Sequence, residues 1–196
     1  MAEAPWCQYR HQMERDSALR LGELVRDIHG FPTPGVVFKD ITPLLGDAPA
    51  FAGVIDALVE GFSGREVDQV VGVEARGFIL AGPVAYRLGA GFVPVRKAGK
   101  LPSTVEGETY ALEYGTDLLE IHADALHNGA RVLIVDDVLA TGGTAAATVR
   151  LVEKLGAEVV GLAVVIELGF LHGRSLLPGR EVVSLVNYSE VPVVVS

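Results

Sequence analysis

The sequence predicts an α/β protein, a mainly parallel twisted sheet flanked by helices, and three observations carry that expectation. An unbroken apolar run at 132–135 and mainly apolar segments at 67–73, 91–95, 158–166 and 182–186 have the length and composition of buried strands. Segments with helical spacing of apolar residues lie between several of them, the alternation that builds parallel sheets. Two of the runs stop abruptly in charge, at Glu74-Ala75-Arg76 and at Asp136-Asp137.

Each element follows in order. Residues 1–16 have no apolar period and read as a loose extension, and 17–196 read as a single domain. Leu21, Leu24, Val25 and Ile28 fall at helical spacing, with Gly30 as a stop. The stretch 31–43 holds too much proline for either regular element and reads as a packed connector. Phe51, Val54, Ile55, Leu58 and Phe62 mark an amphipathic helix introduced by Asp47 and Pro49 and closed by Gly64. After the run at 67–73 a helix extends to about Leu88, with Gly82-Pro83 bending it or marking a later start. The run at 91–95 leads into Arg96-Lys97-Ala98-Gly99-Lys100-Leu101-Pro102, which taken alone is a solvated basic turn.

Residues 101–117 read as a mobile flap, its ribbon returning to the core through the alternation at 109–115. A strand at 118–121 and a turn at 123–126 follow, with His122 and His127 at the surface or an edge. The run at 132–135 ends at its two carboxylates, and a loop of small residues at 140–144 precedes a helix at 145–155. The Pro178-Gly179 turn leads to the last strand, and the apolar tail at 191–195 suits a sheet edge.

Bulk properties narrow the class. A chain of 196 residues with 49% hydrophobic and 21% charged residues is long enough for a substantial core and too apolar for disorder. Its one cysteine, Cys7, cannot form an internal disulfide, which fits a reducing cytoplasm. No apolar run approaches the roughly 20 residues of a membrane span, and a secretory signal core is not expected. The net charge of −9 argues against a general nucleic-acid surface. Neither HxxxH nor CxxC occurs, so a protein-caged zinc ion is not expected.

The stretch from Arg131 to Ala147 carries the chemistry. Gly142 and Gly143 lack Cβ atoms, so backbone N–H groups are able to close round an anion at a helix N-terminus, with the hydroxyls of Thr141 and Thr144 beside them. That suits a phosphate. Asp136 and Asp137 accept hydrogen bonds and suit a pair of sugar hydroxyls. The loop is neither a Walker A motif nor a dinucleotide fingerprint, because GxxxxGK[ST] and GxGxxG are both absent. Arg76, at the end of another strand, is placed to reach the same crevice, although an ion pair with Glu74 is the plain alternative.

Val-Leu-Ile-Val-Asp-Asp-Val-Leu-Ala-Thr-Gly-Gly-Thr, at 132–144, resembles the phosphoribosyl-pyrophosphate (PRPP) signature of the type I phosphoribosyltransferases. The stretches 31–43, Arg-Lys-Ala-Gly-Lys-Leu-Pro at 96–102 and Tyr-Ala-Leu-Glu-Tyr-Gly at 110–115 resemble the adenine-specific members. The resemblance covers about 20–188 and implies a small N-terminal hood over the base. It implies transfer of phosphoribose from PRPP to adenine, giving AMP and pyrophosphate in purine salvage. It implies that Ala140, Thr141, Gly142, Gly143 and Thr144 hold the 5′-phosphate while Asp136 and Asp137 hold the ribose. Arg76, Arg96, Lys97 and Lys100 would neutralise pyrophosphate. Phe38 and Leu168 would sandwich adenine, with the backbones of Val37 and Lys39 reading its edge. Glu113 would help protonate the base, and Tyr114 would shield the site when the flap closes. Mg²⁺, held mostly through substrate and water, and a homodimer are implied too, with neither nucleic acid nor membrane as partner. Two rivals stand beside this reading: the same chemistry on xanthine, hypoxanthine or orotate, and a PRPP-sensing regulator of transcription.

Overall fold

The computed structural model describes residues 21–111 and 116–190. The extension at 1–16, the tail at 191–195, Glu113 and Tyr114 lie outside the described residues. Two compact units result, one ending at Val54 and the other running from Ile55 to Glu190.

In the first unit, β1 (Arg26–His29) and β2 (Val37–Asp40) pair antiparallel, with Ile28 opposite Phe38. This corrects two expectations. Among the described residues only 21–23 are helical, and the chain is extended from Arg26. Spacing alone could not separate these outcomes: a short helix is marginal by itself, and pairing with 37–40 satisfies the backbone instead. The proline-rich connector also holds regular structure. Pro32 and Pro34 lie in the turn between the strands, closed by the Gly30 N–H donating to the Val36 carbonyl at 2.8 Å. Pro43 falls in the first turn of α1 (Thr42–Gly46), where a missing N–H costs nothing. Asp40 closes that turn, accepting from the Thr42 N–H and hydroxyl, each at 2.9 Å.

Helix α2 (Ala48–Glu60) starts as expected: the Asp47 carboxylate accepts from the Ala50 N–H at 2.9 Å. Its Val54 and Leu58 are fully buried. The division between the units falls within this helix.

The second unit is built on β3 (Gln69–Val73), α3 (Arg76–Leu88), β4 (Gly91–Lys97), β5 (Val105–Ala111), β6 (Thr116–His122), β7 (Arg131–Leu139), α4 (Gly143–Lys154), β8 (Glu158–Leu168) and β9 (Val182–Tyr188). The strands form one seven-stranded sheet in the order β5-β6-β4-β3-β7-β8-β9. Strands β4, β3, β7, β8 and β9 run parallel; β6 is antiparallel to both β4 and β5. Val71, Val95, Val132, Leu133, Val135 and Ile166 have no exposed surface, as strands buried on both faces require. Helix α3 packs on β3, β4 and β7, and α4 on β5 to β8.

Three boundaries and the burial of one histidine differ from expectation. Strand β7 does not stop at its carboxylates but runs on to Leu139, Asp136 pairing with Val164 of β8. Strand β4 continues through Arg96 and Lys97, which pair with Glu120 and Leu119. Helix α3 begins at Arg76 and keeps Pro83 inside it, so Gly82-Pro83 does not mark its start. His122 is half-buried rather than superficial, and its Nε2 is enclosed without a hydrogen-bond partner. In each strand the neighbour's backbone ladder carries the chain past residues that look like terminators in isolation.

Candidate functional site

Neighbouring strands β3 and β7 are where the connections diverge: the chain leaves β3 towards β4 on one side and β7 towards β8 on the other. Such a point opens a crevice at the carboxyl ends of the strands, the usual ligand position in open α/β sheets. Strand β3 delivers Glu74, Ala75 and Arg76 to it; β7 delivers Asp136, Asp137 and the loop that follows. The Glu74–Ala75 peptide is cis.

Asp136 and the 140–144 loop line one solvent-open cleft. Gly142 takes the left-handed conformation, φ 84°, and no side chain caps helix α4 behind it. The N–H groups of the first turn lack partners within a helix, so an uncapped start offers them to an anion. Gly143 and Thr144 already belong to that helix, which makes the loop shorter than expected. Gly173 packs directly behind: a Cβ on Gly142 would fall 2.3 Å from its carbonyl oxygen. Two backbones therefore meet where only glycine fits.

The two aspartates have different surroundings. Asp136 sits deep among protein atoms yet keeps some access through the cleft, and its Oδ1 accepts from the Asp137 N–H at 2.9 Å. Burial first, and the charge of Asp137 second, push its carboxyl well above the ordinary range. Burial raises Asp137 too, and Arg76 offsets part of that rise. Gly77 permits the close approach of α3, since a Cβ there would lie 2.8 Å from Asp136 Oδ1. Arg76 Nε stands 2.6 Å from Asp137 Oδ2, so the plain alternative, an Arg76–Glu74 pair, is not what forms. Asp137 Oδ2 nevertheless lacks a well-aligned hydrogen-bond donor, because the guanidinium supplies charge at close range without pointing an N–H along the line. An enclosed carboxylate oxygen with charge nearby and no donor is ready for a hydroxyl or a metal-bound water.

Glu74 plays a part that the sequence did not reveal. Its side chain is only 8% exposed and takes Arg96 Nε at 2.9 Å, the Lys100 ammonium, and the Lys97 N–H at 3.3 Å. Burial alone would push this carboxyl up; the bonds to Lys100, Arg96 and Lys97 outweigh it and hold the group below its usual value. Lys97 Nζ pairs with Asp117 at 3.0 Å. Arg96 and Lys100 thus share Glu74 while the Lys97 ammonium goes to Asp117, so all three are held by carboxylates rather than loose in a solvated turn.

Among the residues assigned to the base, Val37, Phe38 and Lys39 lie on β2 in the first unit, and Leu168 ends β8 in the second. Phe38 meets Phe31 edge to face at 5.1 Å, a partner the sequence reading passed over. The Lys39 ammonium is buried against Asp27 at 2.6 Å, so its side chain is occupied within the hairpin. Glu113 and Tyr114 lie outside the described residues. The described residues contain no cluster of three or more His, Cys, Asp or Glu able to cage a metal.

Comparison with known proteins agrees with this geometry. The family model described as "Phosphoribosyl transferase domain" matches residues 45–185. An adenine phosphoribosyltransferase of Desulfitobacterium hafniense is 57% identical over 171 residues, covering 87% of this chain and 99% of the relative. The crystal structure of the Rhodothermus marinus adenine phosphoribosyltransferase matches with a TM-score of 0.85 at 53% identity, covering 87% of this chain and 98% of that one. The Saccharomyces cerevisiae enzyme, solved with an imino-altritol bisphosphate and adenine, matches with a TM-score of 0.81 at 44% identity, over 86% and 98% of the two chains. The chain belongs to the phosphoribosyltransferase family, among the adenine phosphoribosyltransferases.

Proposed function

We propose that this chain transfers phosphoribose from PRPP to adenine, forming AMP and pyrophosphate in purine salvage. The observation that carries it is the crevice between β3 and β7, where an uncapped helix start, an aspartate pair and Arg76 meet. An anion and a diol are the ligands those groups accept together.

The 140–144 loop takes the 5′-phosphate, and the acceptors of Asp136 and Asp137 take the ribose hydroxyls. Arg76, Arg96, Lys97 and Lys100 face the pyrophosphate, whose negative charge grows as the bond to the anomeric carbon breaks. Cations held in place before the reaction stabilise that charge without reorganising. Adenine attacks the carbon the pyrophosphate leaves; the roles of Phe38 and Leu168 on its faces and of the Val37 and Lys39 backbones on its edge rest on the resemblance to the adenine-specific members. The roles of Glu113 in protonating the base and of Tyr114 in covering the site rest on the Tyr-Ala-Leu-Glu-Tyr-Gly motif.

The residues fit Mg²⁺ held mostly by substrate and water, since the enclosed Asp137 Oδ2 lacks a donor and a protein cage is absent among the described residues. Asp136 and Asp137 would meet it through ribose hydroxyls or water, and when bound it draws charge from the departing pyrophosphate. A homodimer belongs to the same proposal: Ile79 and Tyr86 leave an apolar stripe on α3 at 45% and 86% exposure. So does action in the cytoplasm, which a lone cysteine fits.

The test is to incubate the purified chain with Mg²⁺, PRPP and each nucleobase in turn while following pyrophosphate release and nucleotide formation. AMP from adenine is expected, with hypoxanthine, xanthine and orotate at least tenfold poorer in kcat/KM, a gap of about 1.4 kcal/mol. Equal use of an oxopurine would overturn the choice of base, and no release with any base would overturn the activity.

A further inference from the structure

Tyr110 and Asp117 face each other across β5 and β6 on either side of 112–115. Asp117 Oδ2 accepts from the Tyr110 hydroxyl at 3.3 Å and from the Lys97 ammonium at 3.0 Å. Its other oxygen takes the Leu118 N–H at 2.9 Å, which fixes the carboxylate plane. Tyr110 lines one small hollow together with Gly143, in the first turn of α4 behind the 140–144 loop. The polar contacts thus run Tyr110, Asp117, Lys97, from a residue packed beside the start of α4, where the loop assigned to the 5′-phosphate ends, to a cation assigned to the pyrophosphate. The surrounding ribbon is tied to the same helix: Arg150 pairs with Glu108 at 2.5 Å and Lys154 with Glu106 at 2.7 Å.

We propose that Tyr110 and Asp117 are positioning residues that hold Lys97 in register with the phosphate loop, so that the two charged ends of one PRPP are met at a fixed separation. This rests on the function proposed above. Energetics point to placement rather than stability. Lys97 is 54% exposed, and an exposed ion pair contributes little to folding. What Asp117 does is restrict a flexible lysine: it holds the ammonium on one carboxylate oxygen that a buried phenol also fixes. Tyr110 is itself only 7% exposed, a position where phenylalanine would fill nearly the same space. The hydroxyl is needed for its bond to Asp117 on β6, and that carboxylate in turn holds Lys97 on β4. Asp117 lies below its usual pKa, chiefly through the bond from Lys97, and Lys97 above its own through the same bond, so the pair stays charged across the working range.

The test compares Tyr110→Phe, Asp117→Asn and the double variant in steady-state assays with PRPP and adenine varied separately. Each single change should raise KM for PRPP roughly three- to tenfold and leave KM for adenine within about twofold. The double variant should be no worse than the weaker single variant, because both changes cut one path. In a Lys97→Met background Asp117→Asn should add nothing. An unmoved KM for PRPP, an effect of the double variant equal to the product of the singles, or a full Asp117→Asn effect without Lys97 would each overturn the proposal. A general loss of packing would instead lower kcat and thermal midpoint without sparing adenine, which also counts against it. Titration of pyrophosphate into wild-type and Asp117→Asn protein separates this from the function itself. If the wild-type chain makes no AMP, the activity falls, and a weakened pyrophosphate Kd still upholds the pair. If it makes AMP and the Kd is unchanged, the pair alone falls.

Discussion

Gly173 and Ala140 touch backbone to backbone: a Cβ added to Gly173 would lie 2.3 Å from the Ala140 carbonyl oxygen. The carbonyl belongs to the chain and cannot swing aside as a side-chain tip could, so the loop carrying Ala140 must move. Gly173→Ala should therefore lower kcat/KM for PRPP by tenfold or more, since positions in a reacting site tolerate displacements well under 1 Å. The unfolding midpoint should fall much less than activity. A variant with wild-type kinetics would show that the loop does not need this support.

Asp136 is costly to the empty fold. Burial and the neighbouring charge raise its folded pKa above the unfolded value, so the folded state holds its proton more tightly. Stability from this group is fullest when it is protonated, and it is lost as pH climbs from the unfolded value through the raised folded one. Asp136→Asn keeps an acceptor for the Asp137 N–H without the charge. At pH 7.5 the ligand-free variant should be more stable by about 1–2 kcal/mol, with turnover down roughly a hundredfold, the trade expected where function keeps a strained group. The advantage should shrink towards pH 4. Denaturant titration at both pH values checks it; a less stable variant at pH 7.5 refutes the sign.

Glu167 has the opposite sign. Its side chain is 6% exposed and accepts from Arg174 Nε at 2.6 Å and the Ser184 hydroxyl at 2.7 Å. The Arg174 bond outweighs burial and holds the carboxyl below its usual value. The stabilisation is present above the unfolded pKa and is lost as pH falls through the lower folded one. Arg174→Met leaves Glu167 without its cation, and because Arg174 is half exposed and water replaces part of it the cost should be about 1 kcal/mol at pH 7. That gap should narrow on acidification below the ordinary carboxylate range. If it instead stays constant with pH, the arginine contributes packing and not charge.

These contacts mark how far sequence alone reaches. Apolar runs, the 140–144 loop and the paired aspartates were legible because each is local: the residues that act together are neighbours in the chain. The strand ends were not, because Asp136 and Asp137 look like terminators until β8 is seen holding the backbone beside them. The hairpin of β1 and β2 was misread for the same reason, its helical spacing being overridden by a partner strand. Glu74 was passed over because Arg76, two positions on, looked like its partner, whereas Arg96, 22 positions away, takes that place. Asp117 and Gly173 had no signal of their own, and Tyr110 was read only as the first residue of the flap motif, since each acts through a contact that only the fold creates.

Glu74 itself gives the sharpest consequence. It gathers Arg96 and Lys100 on one enclosed carboxylate, and Arg96 Nη1 also donates to the Lys100 carbonyl at 3.1 Å. The cations assigned to pyrophosphate are therefore already shared with a protein anion, and an incoming anion must compete with it. Glu74→Gln removes the charge and most of that competition. The ligand-free variant should lose about 1–3 kcal/mol, because like charges are left facing each other with fewer acceptors. Pyrophosphate should then raise its unfolding midpoint by more than it raises that of the wild type, as a tighter ligand does by mass action. The gain should fade with added salt, which screens exposed cations. Equal or smaller stabilisation by pyrophosphate would mean that Glu74 does not stand in for the anion, and that the cations meet their ligand from another side.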